Sequence, residues 1–322
     1  DRRFEMRFQG AVCRLRGNAK PIAKNQENNA VQIERVGVVG CGLMGSGIAE
    51  VAAKSGFEVR VREVNDAALE AGQKRIRKSM DRAVEKEKLS PEDRDAAWER
   101  LSFTTTVADL ADCDLVIEAI VEELEAKNAL FGELDGLCGE GTIFASNTSS
   151  LTITDMAAAT ERPDRFVGLH FFNPVPVMKL VEVVKTIATS DQTFDRAFAF
   201  SKALGKTPIA AKDNSGFVVN LLLVPYMLDA IRQLERGVAS IEDIDTGMML
   251  GCGYPMGPFT LCDFVGIDTL YKISEIMYEE YREERYAPPP LLKRIVSLGR
   301  YGRKTGKGFY DWSGDQPVPL AI

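Results

Sequence analysis

Arg35-Val-Gly-Val-Val-Gly40 runs directly into Cys41-Gly-Leu-Met-Gly-Ser-Gly47, and the reading of this stretch decides the fold. The first part is a short run of small and β-branched residues suited to a buried strand, and the second opens an alanine-rich helix that reaches Lys54. After Gly56 a second strand is expected over Glu58 to Val64, completing a βαβ unit. Gly40, Gly42 and Gly45 stand at the spacing G-x-G-x-x-G. Gly40 permits a tight turn, Gly42 lets the backbone approach a pyrophosphate, and Gly45 lets the helix pack close to the sheet, with the helix N-terminus attracting the phosphates. Glu63 closes the second strand, where a carboxylate accepts hydrogen bonds from adenosine ribose hydroxyls and repels a 2′-phosphate. The pattern therefore predicts NAD rather than NADP. Arg60 and Arg62 alternate onto the face opposite Glu63, but Arg62 adjoins the ribose position and could help tolerate a 2′-phosphate. A glycine-rich packing turn beside a solvated glutamate is the bland alternative, and the strand, helix and acid in register weigh against it.

Working outward, a charged helical region spans Ala67 to Lys88, a further helix runs through Arg100, and Leu115 to Ile120 is a buried strand. Further strands are expected over Thr142 to Ala145, Phe166 to Phe171 and Leu180 to Val184, with helices between them. Strands alternating with helices predict an α/β fold with a parallel, doubly wound sheet of the Rossmann type. Beyond Lys212 the pattern becomes helical over Val218 to Glu235, Ile241 to Leu250, Thr260 to Arg282 and Leu291 to Leu298, which predicts a smaller all-α domain. The expected division is a basic leader at 1–32, a nucleotide-binding domain at 33–214, a helical substrate and dimerisation domain at 215–314, and a tail at 315–322.

A chain of 322 residues with 45% hydrophobic and 27% charged content is globular and long enough for two domains. A formal net charge of -7 argues against a general binder of nucleic acid or of membrane surfaces, since neither polyanion is drawn to the whole-protein field. The most apolar stretch, Gly216 to Leu228, is interrupted by Asn220 and Pro225 and is too short to span a bilayer. The six cysteines show no Cys-x-x-Cys pair, so neither a metal site nor a disulfide framework is indicated; they read as small buried residues in a reducing compartment. The leader, with Arg2, Arg3, Arg7, Arg14, Arg16, Lys20 and Lys24, reads as a flexible basic segment, with an organellar transit peptide as the alternative. The start at Asp1 is read as that of a processed or truncated product, and the expected location is the cytoplasm, or the mitochondrial matrix if the leader is a transit remnant.

The chain has one histidine, His170, within Gly168-Leu-His-Phe-Phe-Asn-Pro-Val-Pro176. Histidine is the side-chain type suited to proton transfer near neutral pH, so the search for a general base is short. Glu182 follows among Val181, Val183 and Val184, and a carboxylate in an apolar run is costly unless a partner such as an imidazolium binds it. The Asn173-Pro-Val-Pro176 segment can reverse the chain and bring the two together. Ser149 follows a strand end, where open α/β sheets bind ligands, and Asn220 begins a helix of the second domain. A site using both requires the domains to face one another across a cleft that closes on substrate. Taken singly, His170 reads as a core histidine, Ser149 as a helix cap and Asn220 as a turn residue; as a set they favour catalysis. Lys74 to Lys88 carries seven basic residues against Asp81, Glu85 and Glu87, which suits either a solvated face or phosphate binding.

The cradle, Ala145-Ser-Asn-Thr-Ser-Ser-Leu151, His170 to Pro176, Gly216-Phe-Val-Val-Asn220, Gly253-Tyr-Pro-Met-Gly-Pro258 and Lys304-Thr-Gly-Lys-Gly-Phe-Tyr310 together resemble the L-3-hydroxyacyl-CoA dehydrogenases, nearest to the short-chain bacterial 3-hydroxybutyryl-CoA dehydrogenases. The resemblance extends from about Ile33 to Tyr310. It implies reversible NAD-linked oxidation of a 3-hydroxyacyl-CoA thioester in fatty acid or butanoate metabolism, by a homodimer. It implies His170 as general base, Glu182 as its partner, and Ser149 and Asn220 as holders of the substrate oxygen. Leu43, Met44, Glu122 and Lys127 are implied to lie near NAD with the cradle glycines, as are Asn147, Asn173 and Lys304; Ser79 and Lys86 are implied on coenzyme A. Two departures stand out: Leu221 where many relatives carry arginine, and Ser215 where they carry proline. The competing expectations are a sugar-acid dehydrogenase on the same scaffold and a nucleotide-binding protein without chemistry.

Overall fold

The computed structural model describes residues 33–321, so the expectations for the leader lie outside the described residues. The chain first builds strands β1 (Arg35–Val39), β2 (Glu58–Arg62), β3 (Leu101–Thr104), β4 (Leu115–Glu118), β5 (Ile143–Ser146), β6 (Phe166–Phe171), β7 (Leu180–Lys185) and β8 (Thr207–Lys212). They form one sheet in the order β3-β2-β1-β4-β5-β6-β7-β8. Between them lie helices α1 (Leu43–Lys54), α2 (Asp66–Glu85), α3 (Pro91–Glu99), α4 (Leu124–Leu137), α5 (Ile153–Ala157) and α6 (Asp191–Ala203). One apolar cluster joins Val36, Val38 and Val61 to Ile48, Ile76, Met80 and Phe200 of α1, α2 and α6. A second joins Val39, Val116 and Phe144 to Phe131, Ile153 and Met156 of α4 and α5. Helices thus cover both faces, and the central strands are buried along their length, as continuous apolar runs require.

The expectation of a parallel sheet holds except at one pair of strands. β7 runs antiparallel to β6, and β8 follows β7 in the reversed direction. The cause is connection length: residues 172–179 are too few for a crossover, which takes about a dozen residues or more, so the chain turns back directly. Two strands of this sheet, β3 and β8, go unread in the sequence, and both lie at its edges.

The second region contains α7 (Val219–Glu235), α8 (Ile241–Cys252), α9 (Pro258–Val265), α10 (Ile267–Tyr281) and α11 (Pro290–Ser297). The helix expected over Thr260 to Arg282 is two helices, broken at Gly266, whose φ of 100° lies where other residues are strained. Val224, Leu228 and Ile231 of α7 pack with Phe259, Leu270, Met277 and Leu292 as a separate core. Two buried acids secure its ends: Asp245 accepts from Phe259 N (2.8 Å) and Thr260 N (2.9 Å) to cap α9, and Asp263 accepts from Phe309 N, Tyr310 N and Trp312 Nε1 to hold the C-terminal segment. No described helix is long and apolar enough to cross a membrane. Of the five described cysteines Cys252 is exposed, a departure from the buried role expected.

Candidate active site

The cradle lies where β1 hands over to α1. Gly40 has φ 92°, and a side chain there would meet the Ala119 carbonyl oxygen at 2.6 Å. At Gly45 a Cβ would fall 1.7 Å from the Gly40 oxygen, so helix and turn approach each other only because that atom is missing. Gly42 faces open space and serves as the N-cap of α1 without a side-chain bond, which leaves the N–H groups of Leu43 and Met44 free for an anion. Glu63 stands at the rim: its Oε1 accepts from Cys41 N at 2.6 Å and its Oε2 from Val64 N at 2.9 Å. These residues fit the pyrophosphate and ribose of a dinucleotide. Arg75 of α2 donates to the Cys41 oxygen at 2.7 Å and fixes the loop from outside, a contact that the sequence reading did not identify.

A second cluster forms at the ends of β4 and β5. Lys127, 1% exposed, donates to Glu118 Oε1 at 2.5 Å and lies 3.2 Å from Glu122 Oε2. Glu118 also accepts from Ile120 N (2.7 Å) and Ser146 Oγ (2.6 Å). Glu122 Oε1 accepts from Thr148 Oγ1, Ser149 N and Ser150 Oγ at 2.5, 3.0 and 3.2 Å. Burial opposes ionisation of Glu122, but the Lys127 charge and the bonds from Thr148 and Ser149 outweigh it, so its carboxyl titrates below the ordinary carboxylate range. The array ties the loop after β4 to the Asn147–Ser150 loop after β5. Glu118 was missed in the sequence; the signal was available, since it is a carboxylate ending a buried apolar strand.

His170 and Glu182 are direct partners across the antiparallel β6/β7 ladder. His170 Nδ1 lies 2.6 Å from Glu182 Oε2, with the glutamate fully buried and the histidine 4% exposed. The imidazole packs against Phe172 and Phe217, at ring-centroid distances of 4.5 and 5.6 Å. With Nδ1 committed, Nε2 is the ring nitrogen left for another molecule. The other oxygen of Glu182 accepts from Val218 N and Val219 N, both at 3.0 Å, so the same carboxylate holds the start of α7.

Asn147 Oδ1 accepts from Phe171 N (2.9 Å), joining the β5 loop to the histidine strand. Asn220 Nδ2 donates to the Ser149 oxygen (3.1 Å) and Ser215 Oγ to the Ser150 oxygen (2.5 Å), so the second region grips the same loop. A cleft of about 290 Å³ opens between the halves, lined by Met44, Glu122, Lys127, Asn147 and Ser149 on one wall and Asp268, Thr269 and Lys272 of α10 on the other. Lys304 is not among the lining residues but pairs with Asp268 of that second wall at 2.6 Å. Asn173 is exposed in the loop after β6. Ser79 within α2 and Lys86 at its C-cap lie outside this cluster. Lys74 and Arg77 of α2 pair with Glu70, Asp81 and Asp95, so part of the basic run is neutralised locally.

Residues 35–214 match the family model for the 3-hydroxyacyl-CoA dehydrogenase NAD binding domain, and residues 216–312 match that for the 3-hydroxyacyl-CoA dehydrogenase C-terminal domain. The chain is 51% identical over 282 residues to a 3-hydroxybutyryl-CoA dehydrogenase of Mycobacterium tuberculosis (strain H37Rv), covering 87% of this chain and 99% of that protein. It is 51% identical over 288 residues to the human mitochondrial hydroxyacyl-coenzyme A dehydrogenase, covering 87% and 91% respectively. The crystal structure of (S)-3-hydroxybutyryl-CoA dehydrogenase from Ralstonia eutropha aligns with a TM-score of 0.84 at 45% identity, over 88% of this chain and 100% of that one. The resemblance first read from short motifs thus holds through both halves in order, and the chain belongs to the 3-hydroxyacyl-CoA dehydrogenase family.

Proposed function

We propose that His170 is the general base of this NAD-dependent 3-hydroxyacyl-CoA dehydrogenase and that its preferred substrate is the four-carbon thioester, 3-hydroxybutyryl-CoA. The observation that supports the assignment is the 2.6 Å contact between Nδ1 of the chain's one histidine and the buried Glu182, which leaves Nε2 to act. NAD, when bound, supplies the acceptor for the hydride that leaves C3. His170 Nε2 takes the proton of the 3-hydroxyl, and Glu182 stabilises the imidazolium and fixes the ring. In the reverse direction the imidazolium returns that proton to the ketone oxygen. Ser149 and Asn220 hold the reacting oxygen, an orienting role that lowers the entropic cost of a two-substrate reaction. Asn220 already spends one N–H on the Ser149 carbonyl, so substrate takes the remaining polar groups of the pair.

Gly40, Gly42 and Gly45 with the free N–H groups of Leu43 and Met44 receive the pyrophosphate, Glu63 the adenosine ribose, and Glu122, Lys127, Asn147, Asn173 and Lys304 lie toward the rest of NAD. Ser79 and Lys86 take the coenzyme A. The working unit is a homodimer through the helical region, whose exposed Leu222 (71%) and Leu250 (82%) support such a contact. The five described cysteines are free thiols, which supports a reducing compartment, the cytoplasm or the mitochondrial matrix.

The test is a panel of thioesters of several lengths against both nicotinamide cofactors, with His170→Gln alongside. Acetoacetyl-CoA should be reduced at the expense of NADH, and His170→Gln should lose a factor of roughly 10² to 10⁴ or more in turnover while binding NADH normally. Normal turnover by that variant would falsify the role of His170. Free hydroxy acids turned over better than thioesters would favour the sugar-acid reading instead.

A further inference from the structure

Asp268, in the first turn of α10, lines the wall of the cleft that faces the cradle. Its Oδ2 is paired with Lys304 Nζ at 2.6 Å. Its Oδ1 is buried and meets no hydrogen-bond donor among the described residues. Buried carboxylate oxygens are normally satisfied, and one that is not points to a missing partner. On the opposite wall the Lys127 ammonium binds Glu118 and Glu122, and the Ser149 N–H binds Glu122. On its own wall, Lys272 lies one turn further along α10 and makes no ion pair among the described residues. Asp268 Oδ1, Thr269 Oγ1 and Lys304 Nζ gather around Gly266, where a Cβ would come within 3.2, 3.3 and 3.4 Å of them. The absent side chain therefore leaves room for three polar groups beside the start of α10.

We propose that Asp268 is a cofactor-binding residue contributed by the helical region, its free carboxylate oxygen accepting a hydrogen bond from a hydroxyl or amide N–H of the dinucleotide held in the opposite cradle. The inference rests on the reading of this cleft as the NAD site. It gives the second region a direct contact with cofactor, in addition to the Lys304 cation that Asp268 holds. The pantetheine arm of an acyl-CoA bears amide N–H groups as well, so the same acceptor chemistry has a second source.

The experiment is NADH titration, without thioester, of the full chain and of Asp268→Ala, Lys304→Met and the double variant. Wild type must bind NADH; failure there sinks the cofactor reading of the cleft itself, and this proposal with it. Asp268→Ala should weaken NADH about tenfold, the ~1.4 kcal/mol of one hydrogen bond to a charged group. On the Lys304→Met background it should still weaken NADH at least about threefold. No further loss on that background would show that Asp268 only positions Lys304, and overturns the proposal. So does an unchanged NADH affinity with a raised KM for thioester, which assigns the oxygen to the acyl-CoA. If Asp268→Ala fails to fold, the isosteric Asp268→Asn stands in: its single oxygen cannot serve both Lys304 and ligand, so NADH affinity should fall, and an unchanged affinity is equally fatal.

Discussion

Glu122 shows how a single carboxylate can be kept ionised in a half-closed site. Its carboxyl titrates below the usual range despite burial because Lys127, Thr148 and Ser149 favour the charged form. A group whose pKa is lowered on folding adds stability above its unfolded pKa, and that contribution is lost as pH falls through the lowered folded value. Glu122→Gln should therefore cost about 1–3 kcal/mol at neutral pH, and the gap from wild type should close in the acid range. Urea unfolding at the two pH values measures both effects. At Gly45 the limit is steric: with the Gly40 oxygen 1.7 Å from a would-be Cβ, Gly45→Ala must push α1 off the turn. Loss of measurable NADH binding is the expected result of titration, while Gly136→Ala, at an exposed position of α4 with nothing among the described residues within 4 Å of its added atom, should bind normally. His170 and Glu182 were legible in the sequence because each is conspicuous where it stands, an only histidine and an acid among valines. Glu118 was legible in the same way, as an acid ending a buried strand, and was passed over; Asp268 was not, because Lys304, the partner that gives it meaning, joins it only in the fold.

At the scale of elements, the start of α7 and the base share one carboxylate. Glu182 accepts from two backbone N–H groups of that helix with one oxygen and meets His170 with the other. In Glu182→Gln the amide nitrogen must oppose donors on one side or face the imidazole on the other. Breaking this buried pair should cost about 3–5 kcal/mol in urea unfolding and lower kcat by roughly 10² or more. The reversal of β7 that creates the pair was half visible: the Asn173 to Pro176 turn marks a return, but apolar runs such as Leu180 to Val184 look alike in either direction. β8 escaped notice because Thr207-Pro-Ile-Ala-Ala-Lys212 contains a proline, tolerated there only because the strand lies at the sheet edge. β3 is four residues long and partly exposed, too brief to show a period. The α9/α10 break was hidden because a single glycine inside an amphipathic pattern does not by itself announce a left-handed kink.

Across the whole molecule, two cores with different tasks meet at one loop. The sheet region holds the cradle and the base, while the helical region supplies Asn220 and Ser215 to the Ser149–Ser150 carbonyls. The exposed Leu222 on α7 and Leu250 on α8 belong to the region proposed to pair with a second copy. Replacing both with aspartate should yield a monomer by sedimentation with unchanged helix content by circular dichroism; a dimer that persists would move the contact elsewhere.

Having only one imidazole also makes the protein unusually easy to watch. Labelling histidine with nitrogen-15 gives a magnetic resonance spectrum with a single ring to assign, and that ring is held by Glu182 in the interior. Tautomer and protonation could then be followed directly through each ligand-bound state, with no background to subtract and no mutation needed to remove it.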